Sequence, residues 1–251
     1  MSPVRGTALV TGSARRIGRA LALALAGAGF DIVAHHHQSQ AEAESLCEAI
    51  RAQGRRALAL DSDLSDAGQA RALVGRAAAL APLTVLVNNA ALFEDDRIGS
   101  LTPDSFERHM ALNLRAPILL AQAFAAALPP DREGVIINLL DQRVLRPNPH
   151  FFSYSVSKSA LWSATRTLAQ ALAPRIRVNG VGPGPTLANI HQSPEAFAAE
   201  AAATPLGQKV DPDEIARAAL YLIDARSVTG QMIAVDGGQH LDWRTPDATG
   251  P

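Results

Sequence analysis

The chain has 251 residues, of which 47% are hydrophobic, and a formal net charge of −1 at pH 7. This length allows one large α/β domain with a sizeable core, and the near-neutral charge argues against a nucleic acid or an anionic membrane as partner. The single cysteine excludes an intramolecular disulfide, and the absence of a secretion signal or of an apolar run of about 18 residues predicts a soluble cytoplasmic protein.

Strands and helices alternate from the N-terminus, which is typical of a parallel sheet with helices on both faces. Residues 7–10 are predicted as the first strand, and the turn 11–18 leads from it into an Ala/Leu-rich helix. Such a turn brings backbone N–H groups and a positive helix end toward a phosphate. Of the three usual glycines, Gly12 and Gly18 are present and Arg16 stands at the middle position. We predict nucleotide binding here, with a plain strand–helix turn as the alternative.

The tip of the second predicted strand, residues 31–34, bears on cofactor choice. An NAD site places an acid at this tip to bind the ribose 2′-hydroxyl, and Asp31 lies at the opposite end of the strand. Because no acid repels a 2′-phosphate and His37, Gln38 and Ser39 offer donors, NADP(H) is the predicted cofactor. Neighbouring side chains on a strand point opposite ways, so the three consecutive histidines are not predicted to bind metal.

Polar residues follow the third predicted strand, residues 57–60. Asp63 either meets an adenine ring or belongs to the turn where Ser65 and Asp66 cap the next helix, which is predicted to run to Leu80. The preceding helix is predicted to begin with a capping box that Ser39 forms with Glu42.

The fourth predicted strand, residues 84–87, opens into Asn88-Asn89-Ala90-Ala91-Leu92-Phe93. Asparagines at a strand end tolerate unusual backbone angles and bond to the main chain, and the small Ala90 would let a flat cofactor approach. Phe93 either packs under its loop or stacks on a planar substrate.

A long helix is predicted from Pro103 to about Leu128. Pro117 interrupts its hydrogen-bond ladder, which predicts a bend near Asn113. At such a break Asn113 can bond to the main chain or hold a water. The apolar strand 135–139 that follows delivers Asp141 to a strand tip.

Tyr154 and Lys158 lie one above the other on a single face of a helix predicted over residues 153–172. An ammonium close to a phenol favours the phenolate, so we predict that the pKa of Tyr154 falls from about 10 toward working pH. Such a phenol could give a proton to a substrate that accepts a hydride.

The remaining segments complete one domain over residues 1–251. After a strand at 176–181 come Pro183, Gly184 and an irregular segment of about 186–204, predicted as a lid because loops of this length usually cover a site. A capping box at 211–214 starts a helix that runs to residue 223, residues 231–236 form the last strand, and 237–251 are an irregular tail that could reach a neighbouring subunit.

In their fixed order, the turn 11–18, Asn88-Asn89-Ala90, Asn113, Tyr154 with Lys158, and Pro183-Gly184 resemble a classical short-chain dehydrogenase/reductase. The resemblance implies a single doubly wound Rossmann domain with a mostly parallel seven-stranded sheet, and by family analogy a homotetramer. Within the family the chain most resembles the pteridine reductases and their dihydropteridine- and dihydrofolate-reducing bacterial relatives. Four features carry this closer match: Arg16, the His-rich tip 35–39, Phe93, and Asp141 where most members have serine.

The resemblance and the donors at the strand tip together assign the site residues. The predicted cofactor-binding residues are Gly12, Arg16, Ile17, Gly18, His37, Gln38, Ser39, Asp63, Leu64, Asn89, Ala90, Lys158, Pro183 and Gly184. The predicted substrate-binding residues are Phe93, Arg16, Asp141 and Tyr154. The predicted catalytic residues are Tyr154 as proton donor, Lys158 at the nicotinamide ribose, Asp141, and Asn113 as the holder of a relay water.

The replacement of serine by Asp141 bears on the substrate. A serine hydroxyl donates to a ketone oxygen as that oxygen gains charge, whereas an ionised carboxylate cannot donate. Reduction of a C=N bond instead requires that a proton be delivered to the nitrogen. Asp141 beside Tyr154 could take part in that delivery if the pKa of its carboxyl is raised. We therefore predict NADPH-dependent reduction of a pterin or dihydrofolate-like ring. The alternatives are a carbonyl substrate, such as a 3-oxoacyl thioester or a sugar, and an NADP(H)-sensing protein without turnover.

Overall fold

Seven strands form one parallel sheet in the computed structural model, which describes residues 4–189 and 192–243. The strands are β1 (Gly6–Val10), β2 (Phe30–His36), β3 (Ala57–Asp61), β4 (Leu83–Asn88), β5 (Gly134–Leu139), β6 (Ile176–Pro183) and β7 (Met232–Val235). Their order is β3-β2-β1-β4-β5-β6-β7, and all six pairings are parallel. The predicted doubly wound, seven-stranded sheet is confirmed. The strand order reverses between β1 and β4, and this is where open α/β sheets place their ligands.

Helices cover both faces of the sheet. They are α1 (Arg16–Gly27), α2 (Gln40–Ala52), α3 (Ala67–Ala77), α4 (Pro103–Met110), α5 (Ala116–Ala127), α6 (Phe152–Leu172), α7 (Pro194–Ala202) and α8 (Pro212–Asp224). Side chains alternate along each strand, so Ala8 and Val10 join an apolar cluster under α1, α2 and α8, while Leu9 joins a second cluster under α3, α5 and α6. This double burial explains why the strands read as continuous apolar runs.

A π-helical segment, Ala111–Arg115, lies between α4 and α5 at the place where a bend near Asn113 is predicted. Pro117 lies in the first turn of α5, where a missing N–H disrupts no hydrogen bond of that helix. By length and composition the whole stretch Pro103–Ala127 could cross a bilayer, a test that core helices of soluble proteins also pass. Here α5 packs on α3 and buries Leu120 and Phe124 against the sheet.

Three local predictions were wrong. Ser39 is the N-cap of α2 but its side chain makes no capping bond, because its ψ of 47° departs from the extended geometry of a capping residue, and Glu42 pairs instead with Arg15. The helix α3 ends at Ala77, earlier than predicted. The segment predicted as a loop over about 186–204 contains α7, whose Ser193 accepts the N–H of Ala196 as a cap.

The predicted capping box of α8 is confirmed, with Asp211 and Glu214 each accepting the other's N–H. In the predicted tail, Gln239–Leu241 form a 3₁₀ turn, and residues 244–251 lie outside the described residues.

Candidate active site

Most residues predicted to bind a dinucleotide line one cavity at the carboxyl ends of the strands. Its volume is about 510 Å³, and its lining extends from the tip of β2, past the start of α1, to the first turns of α6. The predicted cofactor residues that line it are Gly12, Arg16, Ile17, Gly18, His37, Ser39, Asp63, Leu64, Asn89, Ala90, Lys158 and Pro183. Gly184 lines a second cavity beside it, and Gln38 lines neither.

Side-chain hydrogen bonds hold the turn between β1 and α1. Nδ2 of Asn89 donates to the main-chain oxygens of Thr11 at 2.9 Å and Gly12 at 3.0 Å. Gly12 and Arg16 have φ angles of 60° and 54°, so the arginine adopts the left-handed conformation that suits the glycine it replaces. A Cβ on Gly18 would lie 2.3 Å from the oxygen of Gly12 and 2.6 Å from Nδ2 of Asn89. Glycine is therefore required at position 18 for the turn to close.

The side chain of Arg16 reaches the predicted lid. Its Nη1 and Nη2 donate to the carbonyls of Ala188 at 2.8 Å and Leu187 at 2.9 Å. These hydrogen bonds connect the start of α1 to the segment that follows β6. Arg16 lines both cavities. Its approach to a phosphate stays a prediction.

Two histidines at the tip of β2, His35 and His36, line the cavity although the sequence analysis did not assign them to the cofactor site. Nδ1 of His35 accepts the N–H of Gly12 at 3.0 Å, and its Nε2 lies 3.0 Å from the carbonyl of Ser62. Burial lowers the pKa of His35 from 6.5 to about 4, so its ring is neutral at working pH and supports the glycine turn. His36 is also buried, whereas His37 is exposed. No metal-binding cluster is found within residues 4–189 and 192–243.

The other residues of this tip are arranged around Asp61. The main-chain N–H of Gln38, which has a φ of 55°, donates to Asp61 at 3.2 Å, and its exposed side chain contributes nothing to the cavity lining. Oγ of Ser39 lies 3.4 Å from the carbonyl of His37. Asp31 is buried at the start of β2, the far end predicted for it.

Of the two alternatives for the turn after β3, the structure shows the capping of the next helix, with Asp66 as the capping residue. Asp66 caps α3 by accepting the N–H of Gln69, and Asp63 lines the cavity while accepting from Ser65 N at 2.8 Å and Oγ at 2.7 Å. The hydrogen bond from the Ser65 hydroxyl lowers the pKa of the Asp63 carboxyl. An adenine contact for Asp63 stays a prediction.

Tyr154, Lys158 and Asp141 come together where β5 ends beside α6. The phenol of Tyr154 donates to Oδ2 of Asp141 at 2.9 Å. Nζ of Lys158 donates to the carbonyl of Leu139 at 2.6 Å and lies 5.7 Å from the centre of the tyrosine ring. Oδ1 of Asp141 accepts the main-chain N–H of Arg143 at 2.8 Å. The predicted convergence of phenol, ammonium and carboxyl is therefore present in the fold.

The predicted fall in the pKa of Tyr154 is wrong for this arrangement. Burial raises the pKa of the phenol well above 10, and the charge of Asp141 raises it further. The charge of Arg143 acts in the opposite direction, and the hydrogen bond to Asp141 adds a smaller increase. Burial also lowers the pKa of Lys158 from 10.5 to about 8. Consequently the phenol is protonated at working pH, in the form that donates a proton.

Asn113 connects the loop after β4 to α6. Its Oδ1 accepts the N–H of Leu92 at 2.8 Å, and its Nδ2 donates to the carbonyl of Leu92 and to Oγ of Ser157, each at 3.0 Å. Of the two roles expected at a helix break, the structure shows the main-chain bond. The relay water assigned to Asn113 stays a prediction.

The second cavity, of about 680 Å³, shares Phe93 with the first. The ring of Phe93 stacks on that of Phe151, with centroids 4.2 Å apart and planes 9° from parallel, and it meets Tyr154 edge-on at 4.6 Å. Arg143 lines this cavity beside both phenylalanines and pairs with Asp141. Neither Arg143 nor Phe151 was identified from the sequence, although Phe151 lies one helical turn before Tyr154 and Arg143 closely follows Asp141.

Comparison with known proteins finds oxidoreductases that match this chain over nearly its whole length. A family model described as enoyl-(acyl carrier protein) reductase matches residues 12–240. The chain is 39% identical over 249 residues to an uncharacterized oxidoreductase of Methylorubrum extorquens, covering 95% of this chain and 99% of the relative. It is 30% identical over 241 residues to the 3-oxoacyl-[acyl-carrier-protein] reductase FabG of Staphylococcus aureus, covering 94% of this chain and 98% of that protein.

Among solved structures, the chain is similar to FolM alternative dihydrofolate reductase 1 from Brucella suis in complex with NADP. The two are 48% identical, the match covers 97% of this chain and 98% of FolM, and the TM-score is 0.94.

Proposed function

The chain belongs to the short-chain dehydrogenase/reductase family, and from that premise we propose that it is an NADPH-dependent reductase of the C=N bond in a pterin or dihydrofolate-like ring. Its similarity to FolM, which was crystallised with NADP and is named as a dihydrofolate reductase, supports both the cofactor and the substrate class. A location in the cytoplasm and a homotetrameric assembly belong to the same proposal.

The observation that carries the proposal is the 2.9 Å hydrogen bond from Tyr154 to Asp141. A ketone oxygen that gains negative charge is stabilised by donors, and an ionised carboxylate at this position donates nothing. A ring nitrogen becomes a strong base when its carbon accepts a hydride, and it needs a proton. The phenol of Tyr154 supplies that proton, and Asp141 orients the phenol through their hydrogen bond.

The residues of the first cavity fit a nicotinamide dinucleotide. The start of α1 opens onto the middle of the cavity, donors at the tip of β2 lie at one end, and Tyr154 with Lys158 lie at the other. When bound, NADPH supplies the hydride. Gly12 and Gly18 would hold its pyrophosphate, while His37 and Ser39 would hold its 2′-phosphate.

Lys158, Pro183 and Gly184 would hold the nicotinamide half. With a pKa of about 8, Lys158 is charged at neutral pH and is placed to donate to a ribose hydroxyl as it now donates to Leu139. Pro183 would border the nicotinamide, with Gly184 beside it. Asn113 keeps the loop that carries Phe93 fixed against α6.

A carbonyl substrate is the second candidate, because FabG and this chain are similar over nearly their whole lengths. Asp141, the aromatic residues around it and the similarity to FolM argue against a carbonyl substrate. The two candidates differ in substrate and share the cofactor.

The test measures NADPH oxidation with a 7,8-dihydropterin, with dihydrofolate and with acetoacetyl thioesters. We expect turnover of the dihydropterin or dihydrofolate, and a loss of about 10²–10⁴-fold in kcat for Tyr154→Phe. Tyr221→Phe is the matched control, since Tyr221 is exposed on α8. Activity confined to the thioesters would replace the pterin proposal by the carbonyl one, and NADPH binding without turnover would favour the sensor.

A further inference from the structure

The helix that carries Tyr154 and Lys158 has no capping side chain of its own. The first N–H groups of a helix have no partner inside the helix, and the N-cap side chain usually accepts the one at the second or third helical position. In α6 the N-cap is Phe151, which makes no side-chain capping bond and has the left-handed φ and ψ of 52°. Partners for these N–H groups must therefore come from another segment of the chain.

Asp96, in the loop after β4, supplies these partners. Its carbonyl accepts the N–H of Phe152 at 3.0 Å, and its Oδ1 accepts the N–H of Ser153 at 2.9 Å. Phe152 and Ser153 are the first two residues of α6. A single residue that lies 57 positions before Ser153 in sequence thus caps this helix. The helix dipole also favours a carboxylate at this end.

The carboxylate of Asp96 is buried and held on both sides. Only 4% of the residue is exposed, and its Oδ2 accepts the hydroxyl of Ser105, on α4, at 2.9 Å. Burial alone would raise the pKa of this carboxyl, but the hydrogen bonds from Ser153 and Ser105 outweigh burial and lower the pKa. Asp96 is therefore ionised at working pH, and each of its oxygens has a fixed partner.

The loop that carries Asp96 is itself anchored on α4. The N–H of Glu94 donates to Nε2 of the fully buried His109 at 3.3 Å, and the carboxylate of Glu94 accepts from Arg108 at 3.0 Å and 2.8 Å. Nδ1 of His109 lies 2.8 Å from the carbonyl of Ser105. The cap of α6 is thus mounted on a neighbouring helix and does not depend on the loop alone.

This cap bears directly on the phenol, because Tyr154 is the third residue of α6 and follows Ser153. Helix ends fray when their N–H groups lose their partners, and fraying of this turn would move Tyr154 away from Asp141. The same loop reaches the tyrosine a second time, since Phe93 meets its ring edge-on at 4.6 Å. The loop after β4 therefore holds Tyr154 both through the backbone of α6 and at the ring.

We propose that Asp96 is a positioning residue for the proton donor: its carboxylate caps α6 from the loop after β4 and keeps Tyr154 in contact with Asp141. Asp96 lines neither cavity, so it acts through the helix and not on a ligand. The inference rests on the proposed function, because it takes Tyr154 as the group that delivers the proton.

Two substitutions of Asp96 test whether an acceptor is needed at this place. Asp96→Ala removes both oxygens, whereas Asp96→Asn keeps an oxygen for the N–H of Ser153, and asparagine is a good capping residue. We expect Asp96→Ala to lower kcat for NADPH oxidation by about 10–100-fold with KM within about threefold of wild type, and Asp96→Asn to restore most of the loss. Asp211→Ala is the matched control, since Asp211 caps α8 and lines neither cavity. It should lower Tm and leave kcat unchanged.

A titration without ligands separates the position of the phenol from turnover. The chain has two tyrosines, so in a Tyr221→Phe background the ultraviolet absorbance of tyrosinate reports Tyr154 alone. Burial is the largest cause of the raised pKa of Tyr154. Fraying of the first turn in Asp96→Ala should therefore bring this pKa down toward 10, whereas Asp96→Asn and Asp211→Ala should leave it in place.

A milder variant covers the case in which Asp96→Ala does not fold. Ser105→Ala removes the donor to Oδ2 of Asp96 and should cause the same two changes to a smaller extent. Unchanged kcat and Tyr154 pKa in the alanine variant that folds, no restoration by Asp96→Asn, or an equal loss of kcat in Asp211→Ala would overturn the inference. A lowered Tyr154 pKa in a protein that reduces no dihydropterin would overturn the proposed reaction and support the cap.

Discussion

Replacing Asp141 by asparagine should lower the pKa of the Tyr154 phenol. Three influences raise that pKa, and two of them, the charge of Asp141 and the hydrogen bond to its carboxylate, depend on the residue replaced. Asparagine keeps the size of the side chain and an acceptor oxygen at the same place. The substitution therefore isolates the charge.

The size of the expected pKa change follows from the hydrogen bond between Tyr154 and Asp141. A hydrogen bond to a charged partner contributes about 1.5–3 kcal/mol, and one pKa unit corresponds to about 1.4 kcal/mol. Both groups are largely buried, with 7% of Tyr154 and 14% of the Asp141 side chain exposed, so solvent screens little of this interaction. We expect a fall of about one to two pKa units. The guanidinium of Arg143, left without its carboxylate, acts in the same direction.

The chain contains two tyrosines, so the titration can be read directly. In a Tyr221→Phe background, the ultraviolet absorbance of tyrosinate reports Tyr154 alone. Asp104→Asn is the control, because Asp104 is exposed on α4 and pairs only with Arg108 in the described structure. A Tyr154 titration that does not move, or that moves upward, would show that Asp141 does not govern the phenol.

Three further predictions concern the buried Lys158 and two glycines, Gly18 and Gly75. The pKa of Lys158 is about 8 in the fold and 10.5 as its ordinary value, so the cost of burying the ammonium is present in full below pH 8 and is relieved as pH rises toward 10.5. Lys158→Met should raise the free energy of unfolding at pH 7 in urea titrations, by less than about 3 kcal/mol because the hydrogen bond to Leu139 is lost with the charge. It should also abolish turnover, and the exposed Lys209→Met should do neither. Gly18→Ala, whose Cβ would overlap the turn, should lower Tm and weaken NADPH binding at least tenfold by calorimetry. Gly75→Ala lies in α3 with nothing within 4 Å of its Cβ and should stabilise by about 0.5–1 kcal/mol.

The features that the sequence predicted well are those set by local chemistry. Apolar strands, the capping box at Asp211 and the break at Asn113 depend on residues close in sequence. The meeting of Asp141 with Tyr154 was also predictable, since the carboxyl ends of parallel strands share one edge of the sheet. These inferences needed no knowledge of how deeply any group is buried.

The features that the sequence did not predict depend on long-range packing. Ser193-Pro194 is a helix start in sequence, but the alanine-rich segment after it has no clear apolar stripe, so α7 was taken for a loop. Phe151 and Arg143 belong to the site because both contact Phe93, which comes from a distant part of the chain. No sequence spacing connects these three residues.

For Tyr154 the sequence identified the motif correctly but predicted the wrong direction for the pKa of its phenol. Proximity of Lys158 to the phenol, the only effect visible in the sequence, favours the phenolate. Folding adds the desolvation of both groups, which raises the pKa of the acid and lowers that of the base. It also adds Asp141 as a hydrogen-bond partner that holds the phenol proton. In the proposed reaction Tyr154 would therefore stay protonated until a stronger base forms next to it, and a nitrogen that has just gained a hydride on its neighbouring carbon is such a base. The phenol needs no lowered pKa for this step, because the basicity of the product nitrogen drives the transfer.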